Sequence, residues 1–317
     1  MATMSSAAGY QNLPVGNWAP AIYSQKVLKY FRRASVVEAI TNTDYTGEIE
    51  NYGDTVNIIK EPTITVKDYA RGQTVNTENL DDNQIQLTID QGSYFAFKVD
   101  DIEERQSHIN FEALATSSGA YALKKNYDYN VLKYIYDNAV ASTGTLGTQG
   151  TSANTGDEVA NLVSQAATEL DKNDVPEENR WLVAPPQFYE VLRQSGSKIM
   201  DMSVTGGGAS PLLNGRVTDG KLHNFDLYVS NAIGVGTTGS AATQTFGSSS
   251  TSGQTLILYG HMSGVATASH IAKTEVIRDP DSFSDIVRGL HVYGRKVLRA
   301  ESDTGFKGVF SGVFVNS

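Results

Sequence analysis

The sequence contains no cysteine among its 317 residues. This absence excludes disulfide bonds, zinc sites built from thiolates and cysteine nucleophiles. The sequence also has no uninterrupted run of about 18 apolar residues, which a helix needs to cross a lipid bilayer. We therefore expect no membrane partner.

Basic residues are in the minority, with 25 Lys and Arg against 35 Asp and Glu and a formal net charge of −10. An acidic surface repels phosphate groups, so tight binding of nucleic acid over the whole surface is disfavoured. Hydrophobic residues make up 40% of the chain, enough to bury a substantial core. The composition indicates a folded protein of one or two domains.

Motifs for catalysis or ligand binding are incomplete. Residues 234–239 match the glycine spacing of a dinucleotide site, but no acidic residue follows before Glu275. Residues 215–221 resemble a phosphate-binding loop, but Leu222 stands where a hydroxyl residue should bind magnesium. The five histidines lack metal-ligand spacing. We therefore predict no enzymatic activity, no cofactor and no metal; a nucleotide-binding enzyme is the alternative from another functional class.

Two stretches, residues 54–66 and 84–99, alternate apolar and polar side chains with the period of a β-strand. The second stretch would be about 50 Å long at about 3.3 Å per residue. We predict a long two-stranded ribbon, and such a ribbon cannot bury its own apolar face. The face is therefore expected to contact a neighbouring subunit through Val56, Ile58, Ile64, Val66, Ile85, Leu87 and Ile89.

A long helix is predicted over residues 111–140 because apolar side chains recur there at intervals of three and four residues. Before the ribbon, residues 24–34 are predicted to form a short helix. Its basic patch has two interpretations: a solvated helix face, or an inward-facing contact to a scaffold or to DNA. The patch consists of Lys26, Lys29, Arg32 and Arg33.

The second half of the chain alternates helices and strands. A Gly/Ser/Thr-rich linker at residues 141–156 precedes a helix near 159–170 and a strand at 181–184, with Pro186 suited to begin the next helix. Further strands are predicted at 225–229, 255–259, 273–278 and 286–298. Strand groups on both sides of an α/β-like segment favour an α+β fold with a discontinuous domain.

Several short motifs resemble the major capsid proteins of tailed bacteriophages. They occur in the order expected for that family and together cover about residues 18–300. The matching segments are Asp44-Tyr45-x-Gly47-x-Ile49, Tyr52-Gly53-Asp54-Thr55-Val56, Leu87-Thr88-Ile89-Asp90-Gln91, residues 181–189, Tyr259-Gly260-His261 and residues 289–294.

This resemblance implies a Hong Kong 97-type major capsid fold. Residues 1–45 would form the N-terminal arm and short helix, and residues 46–100 an extended β-hairpin loop. Residues 101–156 would hold the long spine helix of the peripheral domain and a linker. An inserted axial domain would occupy residues 157–270, and residues 271–317 would return to the peripheral domain.

The resemblance also implies a function. The chain would assemble with copies of itself into hexamers and pentamers of an icosahedral head that encloses double-stranded DNA, which it would contact weakly and without specificity. A portal protein and a decoration protein are further implied partners. A separate scaffolding protein is expected because no scaffold-like domain precedes the arm. The implied location is the virion, after assembly in the host cytoplasm. The alternative within structural proteins is an encapsulin-like nanocompartment shell.

Overall fold

The computed structural model describes residues 32, 35–48, 55–60, 64–78, 84–101, 111–141, 156–192, 221–233, 254–270, 274–299 and 309–315. The four helices are α1 (Val37–Ile40), α2 (Phe111–Asn138), α3 (Gly156–Lys172) and α4 (Pro186–Leu192) among these residues. Strands in the same residues are β1 (Thr55–Ile59), β2 (Gln84–Asp100), β3 (Val140–Ala141), β4 (Arg180–Ala184), β5 (Lys221–Leu222), β6 (Phe225–Val229), β7 (Gln254–His261), β8 (Val265–His270), β9 (Thr274–Arg278), β10 (Ser284–Val297) and β11 (Val309–Val315). Two short 3₁₀ helices lie at Asp44–Glu48 and Met262–Gly264.

The first sheet is built on two long antiparallel strands, β2 and β10. Its strand order is β1-β2-β10-β8, and β9 also pairs with β10. Strand β1 pairs only with the first five residues of β2, whereas β10 pairs with the rest of β2 as far as Asp100. Most of β2 therefore forms its backbone hydrogen bonds with β10, a strand from the far end of the chain.

The second sheet has the strand order β3-β11-β7-β4-β6-β5. Its strand β4 is buried along its whole length. Leu182 and Ala184 point toward α3 and α4, while Trp181 and Val183 point toward α2, as the alternation of a strand requires. The helices α3 and α4 thus cover one face of this sheet, and the C-terminal half of α2 packs with the other.

Helix α2 joins the two sheets. Val131, Leu132 and Ile135 are fully buried in a cluster that includes side chains from both sheets. The N-terminal half of the helix is more exposed and lies over β2, where Gly119 faces the Phe95 ring. A Cβ atom at Gly119 would lie 2.9 Å from that ring, and one at Gly289 on β10 would lie 2.4 Å from it. Glycine at both positions therefore makes room for Phe95 between helix and sheet.

Two buried charged side chains fix local connections. Asp128 on α2 accepts hydrogen bonds from the Ser35 hydroxyl at 2.6 Å and the Val36 backbone N–H at 3.3 Å, which ties the start of α1 to the long helix. Arg180 donates to the Pro176 carbonyl at 2.8 Å and to the Asp171 carboxylate at 2.7 Å. These bonds hold the turn that connects α3 to β4.

Several local predictions are confirmed by the structure. The helix expected around residues 159–170 is α3, and its predicted apolar positions are buried. Helix α4 begins at Pro186, as its fixed backbone angle favours. Mixed helix and strand content agrees with the α+β prediction.

Other predictions are wrong or lie outside the described residues. The first ribbon strand ends at Ile59 and does not continue to residue 66. Residues 265–270, for which no strand was predicted and which were assigned to the axial domain, form β8 of the first sheet. Residues 309–315, assigned to the return to the peripheral domain, form β11 of the second sheet. Of the helix predicted at residues 24–34, the structure describes Arg32, which is not helical.

Candidate intersubunit contact surfaces

Residues 64–78, here named the exposed segment, pack against no other part of the described chain. Every one of these residues is exposed, and Val66 reaches 93% exposure. Ile64, Tyr69 and Val75 are also largely exposed. Several large apolar side chains exposed within one short segment are typical of a surface that another molecule covers.

The exposed segment nevertheless has a defined turn. The Gln73 N–H donates to the Ala70 carbonyl at 2.9 Å, and Gly72 has a φ of +87°, as in the third position of a type II turn. An ion pair between Lys67 and Glu78 links the two sides of the segment. The turn and the ion pair give the segment a shape before any partner binds.

A second exposed surface is the face of the first sheet that points away from α2, here named the outer face. Directly paired residues on neighbouring strands point to the same side of a sheet, which places Tyr94 beside Leu290 and Ile277 beside Ile286. Tyr94 is 77% exposed, and Leu290 and Ile277 are also exposed. Between these apolar side chains, Arg288 donates to Glu275 at 2.7 Å. The outer face thus combines apolar side chains with an internally paired charge.

The turn between β9 and β10 is held by charged side chains at one end of the same sheet. Arg278 donates to both Asp101 carboxylate oxygens, at 2.7 and 2.5 Å, and to Asp285 at 3.1 Å. A hydrogen bond from Lys98 is the main cause that lowers the pKa of Asp279. Phe283, in this turn, is 80% exposed.

The seven residues predicted to contact a neighbour fall into three groups. Ile64 and Val66 are exposed and remain candidates for that contact. Val56, Ile58 and Ile85 are partly buried. For Leu87 and Ile89 the prediction is wrong, because both side chains are completely buried against Ala266 and Ala268 of β8 within their own chain. The chain's own β8 and β10 supply most of the cover that the sequence led us to expect from another subunit.

The predicted basic patch is described at one position. Arg32 is exposed, donates a 2.9 Å hydrogen bond to the Ser117 hydroxyl and lies 5.3 Å from the centre of the Tyr121 ring. Both partners are on α2, so this guanidinium packs on the long helix. Lys26, Lys29 and Arg33 lie outside the described residues.

The glycine-rich motifs at 234–239 and 215–220 also lie outside the described residues. Across the described part of the chain, no group of three or more His, Asp or Glu side chains is arranged to hold a metal ion. The helices in that part include none with the length and apolar character of a membrane span.

Comparisons with known proteins identify the family. A family model described as phage capsid protein matches residues 83–308, more than half of the chain. This chain belongs to the phage capsid protein family. A search of curated proteins gives no match. The family implies a structural role and not a catalytic one.

Solved structures agree with membership of the capsid family. A chain from Mycobacterium phage Che8 has 30% sequence identity and a TM-score of 0.74, over 93% of this chain and 97% of that chain. The capsid structure of the cyanophage P-SCSP1u has 17% identity and a TM-score of 0.71, over 95% of this chain and 94% of that chain. The mature capsid of bacteriophage PhiM1 has 16% identity and a TM-score of 0.65, over 96% and 98%. The last two similarities show a shared fold.

Proposed function

We propose that this capsid-family chain is the main shell subunit of a tailed-phage head with the Hong Kong 97-type fold. In this assignment, hexamers and pentamers of the chain form an icosahedral container for double-stranded DNA. The observation that carries the proposal is the exposed segment, because its apolar side chains have no cover among the described residues of their own chain. A subunit of a closed shell has neighbours that supply such cover.

The exposed segment corresponds in this proposal to the extended loop, and α2 to the spine helix. The first sheet corresponds to the peripheral domain and the second sheet to the axial domain. Strands β8 and β11 then cross between the two, because each pairs in the sheet opposite to the one that its sequence position suggested.

The outer face of the first sheet is the acceptor that we propose for the exposed segment of a neighbouring subunit. Each copy carries both surfaces at different places, so the contact is heterologous and can close into a ring. Full burial of one aliphatic side chain such as Val66 contributes about 1.5–3 kcal/mol before the entropy of association is subtracted. Several such side chains per contact can hold a capsomer together.

Charge supports weak contact with packaged DNA. The net charge of −10 disfavours tight binding of the phosphate backbone by the shell as a whole. The local basic patch, with Lys26, Lys29, Arg32 and Arg33, is the proposed inner-face contact to DNA or to a scaffolding protein. A portal protein and a decoration protein complete the proposed partners, and the proposed location is the virion after assembly in the host cytoplasm.

A matched pair of triple variants tests the proposed contact. Val66→Ser, Tyr69→Ser and Val75→Ser together remove apolar surface from the exposed segment without changing its charge. Thr65→Ser, Thr74→Ser and Thr77→Ser make three changes in the same segment and leave that apolar surface in place. We expect the first variant to keep the circular dichroism of the parent chain but to lose assembly in sedimentation and electron microscopy. The threonine variant should assemble normally.

Two outcomes contradict the proposal. Normal shells from the apolar-to-serine variant would show that the exposed segment is not a main contact between subunits. Particles made during infection that protect protein cargo from degradation, but no DNA from nuclease, would instead support the encapsulin-like alternative.

A further inference from the structure

His291 lies in the contact between helix α2 and the first sheet. It is on β10, paired with Ser93, and its side chain points to the face that α2 covers. Its ring contacts two aromatic rings: Tyr127 of α2 is 5.4 Å away at an angle of 77°, and Tyr293 is 5.3 Å away at 27°. Tyr127 and Tyr293 also contact each other at 4.9 Å. The three rings therefore form one cluster between helix and sheet.

The Tyr293 hydroxyl and the His291 ring differ in their hydrogen bonding. The Tyr293 hydroxyl accepts a 2.9 Å hydrogen bond from Asn130 of α2. The Nδ1 atom of His291 is buried and has no hydrogen-bond partner among the residues that the structure describes. A neutral imidazole can leave one nitrogen unpaired at modest cost. A protonated imidazole carries a donor on both nitrogens, so a buried donor at Nδ1 would lack an acceptor.

Charged groups surround the cluster from several elements. Glu38 of α1 and Asp128 of α2 lie near Tyr127, and their negative charges help to raise its pKa. Asp90 of β2 and Arg295 of β10 lie near Tyr293, where Asp90 raises the pKa of the hydroxyl and Arg295 lowers it. These charges shift the pKa values of the two tyrosines, and Glu38 is itself paired with Lys124 at 3.1 Å. Burial is the cause that lowers the pKa of His291 below its ordinary value. The folded protein therefore favours the neutral ring.

We propose that His291 makes the contact between α2 and β10 sensitive to acid, so that protonation of its ring releases the helix from the sheet. The added proton places a charge and an unpaired donor inside the aromatic cluster, and stacking on the Tyr293 face offsets only part of this cost. The buried Nδ1 atom has no access to water while the ring stays packed, so a proton there is hydrated when α2 moves away. Because α2 packs with both sheets, its release would loosen the connection between them. This inference does not depend on the proposed assembly.

The sign of the pH dependence follows from proton binding. When α2 is released, the histidine has its ordinary pKa near 6.5 and binds a proton below that pH, whereas the packed ring binds it only at lower pH. Acid therefore favours the released state. The equilibrium for release should rise by up to about tenfold for each pH unit between about 6.5 and the pKa of the packed ring.

Hydrogen–deuterium exchange of the full-length, unassembled chain tests this inference. Peptides from α2 should lose protection at about pH 5 relative to about pH 7.5, after correction for the intrinsic exchange rate. His291→Phe keeps an aromatic ring but cannot be protonated, so it should lose most of this difference. His261→Gln is the matched control: burial also lowers the pKa of His261, but this residue is on β7 of the second sheet. The control should keep the acid response of α2.

Equal acid responses in the parent chain and in His291→Phe would overturn the proposal. If His291→Phe does not fold, His291→Asn serves in the same comparison because it is smaller and also cannot be protonated near neutral pH. Nuclear magnetic resonance of ¹³C-labelled histidine gives an independent measurement. His291 should titrate below the ordinary histidine pKa near 6.5, and a midpoint at or above that value would also overturn the proposal.

Discussion

Strand β2 and the exposed segment have similar sequence patterns and opposite environments. Apolar and polar side chains alternate along β2 and from Ile64 to Val66 at the start of the exposed segment, and both stretches belong to the predicted ribbon. In β2, Leu87 and Ile89 are completely buried by strands of the same chain. In the exposed segment, Ile64 and Val66 are open to water. The alternation reveals that a face will be covered, but not whether its own chain or a neighbour covers it.

The difference has a physical cause in strand pairing. Strand β2 pairs from Ile89 to Asp100 with β10, which lies about 190 residues further along the chain. The two sides of the exposed segment meet at the Gly72 turn and the Lys67–Glu78 ion pair, but they form no ladder of backbone hydrogen bonds within the described residues. One region is therefore part of the folding core, and the other is available for association.

The largest expected effect is on the free energy of unfolding, and it distinguishes residues needed for folding from residues available for assembly. Leu87→Ala should lower the free energy of unfolding by about 2–5 kcal/mol, because it leaves a cavity in a fully buried cluster. Val66→Ala should change it by less than about 0.5 kcal/mol, because the side chain is 93% exposed. Denaturant unfolding of the unassembled chain measures both values. Equal destabilisation by the two substitutions would mean that the exposed segment is part of the folding core.

Local structure was predictable wherever local chemistry determines it. The spacing of Val159, Leu162 and Leu170 predicted α3, and Pro186 predicted the start of α4. Sheet membership was not predictable for β8 and β11, because it depends on pairing between strands that are distant in sequence. The burial of Leu87 and Ile89 was missed for the same reason, since it requires β8 to lie beside them.

The aromatic cluster at His291 could not be predicted as a whole from the sequence. The alternation of a strand places His291 and Tyr293, two residues apart on β10, on one face. Nothing in the sequence indicated that Tyr127 would pack against them from α2. The requirement for glycine at positions 119 and 289 was equally hidden, because it arises from the one ring, Phe95, that both positions face.

A medium effect on the stability of the free subunit is expected where the first sheet meets α2. Gly289→Ala would place its Cβ 2.4 Å from the Phe95 ring, so that ring or a strand must shift. We expect a loss of about 1–3 kcal/mol in the free energy of unfolding, as for other overpacked cores. Gly92→Ala, also in the β2–β10 pair but with no atom within 4 Å of the added Cβ, is the control and should be nearly neutral.

Thermal or denaturant unfolding of these glycine variants measures the loss, and a second substitution assigns its cause. Phe95→Leu together with Gly289→Ala should cost less than the sum of the two single changes, because the smaller side chain relieves the clash. Additive losses would show that the clash with Phe95 is not the cause.

The smallest effect on folding, and the most informative for the comparison, is expected at the turn of the exposed segment. Gly72 has a φ of +87°, a conformation that costs an alanine about 1–2 kcal/mol. In the free subunit the turn can relax, because no described residue packs against it, so Gly72→Ala should leave the free energy of unfolding within about 0.5 kcal/mol of the parent value. If the segment docks on a neighbour in the shape that it already has, the cost appears on assembly. The protein concentration needed for assembly should then rise by about 5–30-fold, the ratio that corresponds to one or two kcal/mol.

Light scattering over a dilution series measures that concentration, with Gly92→Ala as the control for a glycine change outside the segment. An unchanged concentration for Gly72→Ala would show that the segment changes shape when it binds, or that it does not bind.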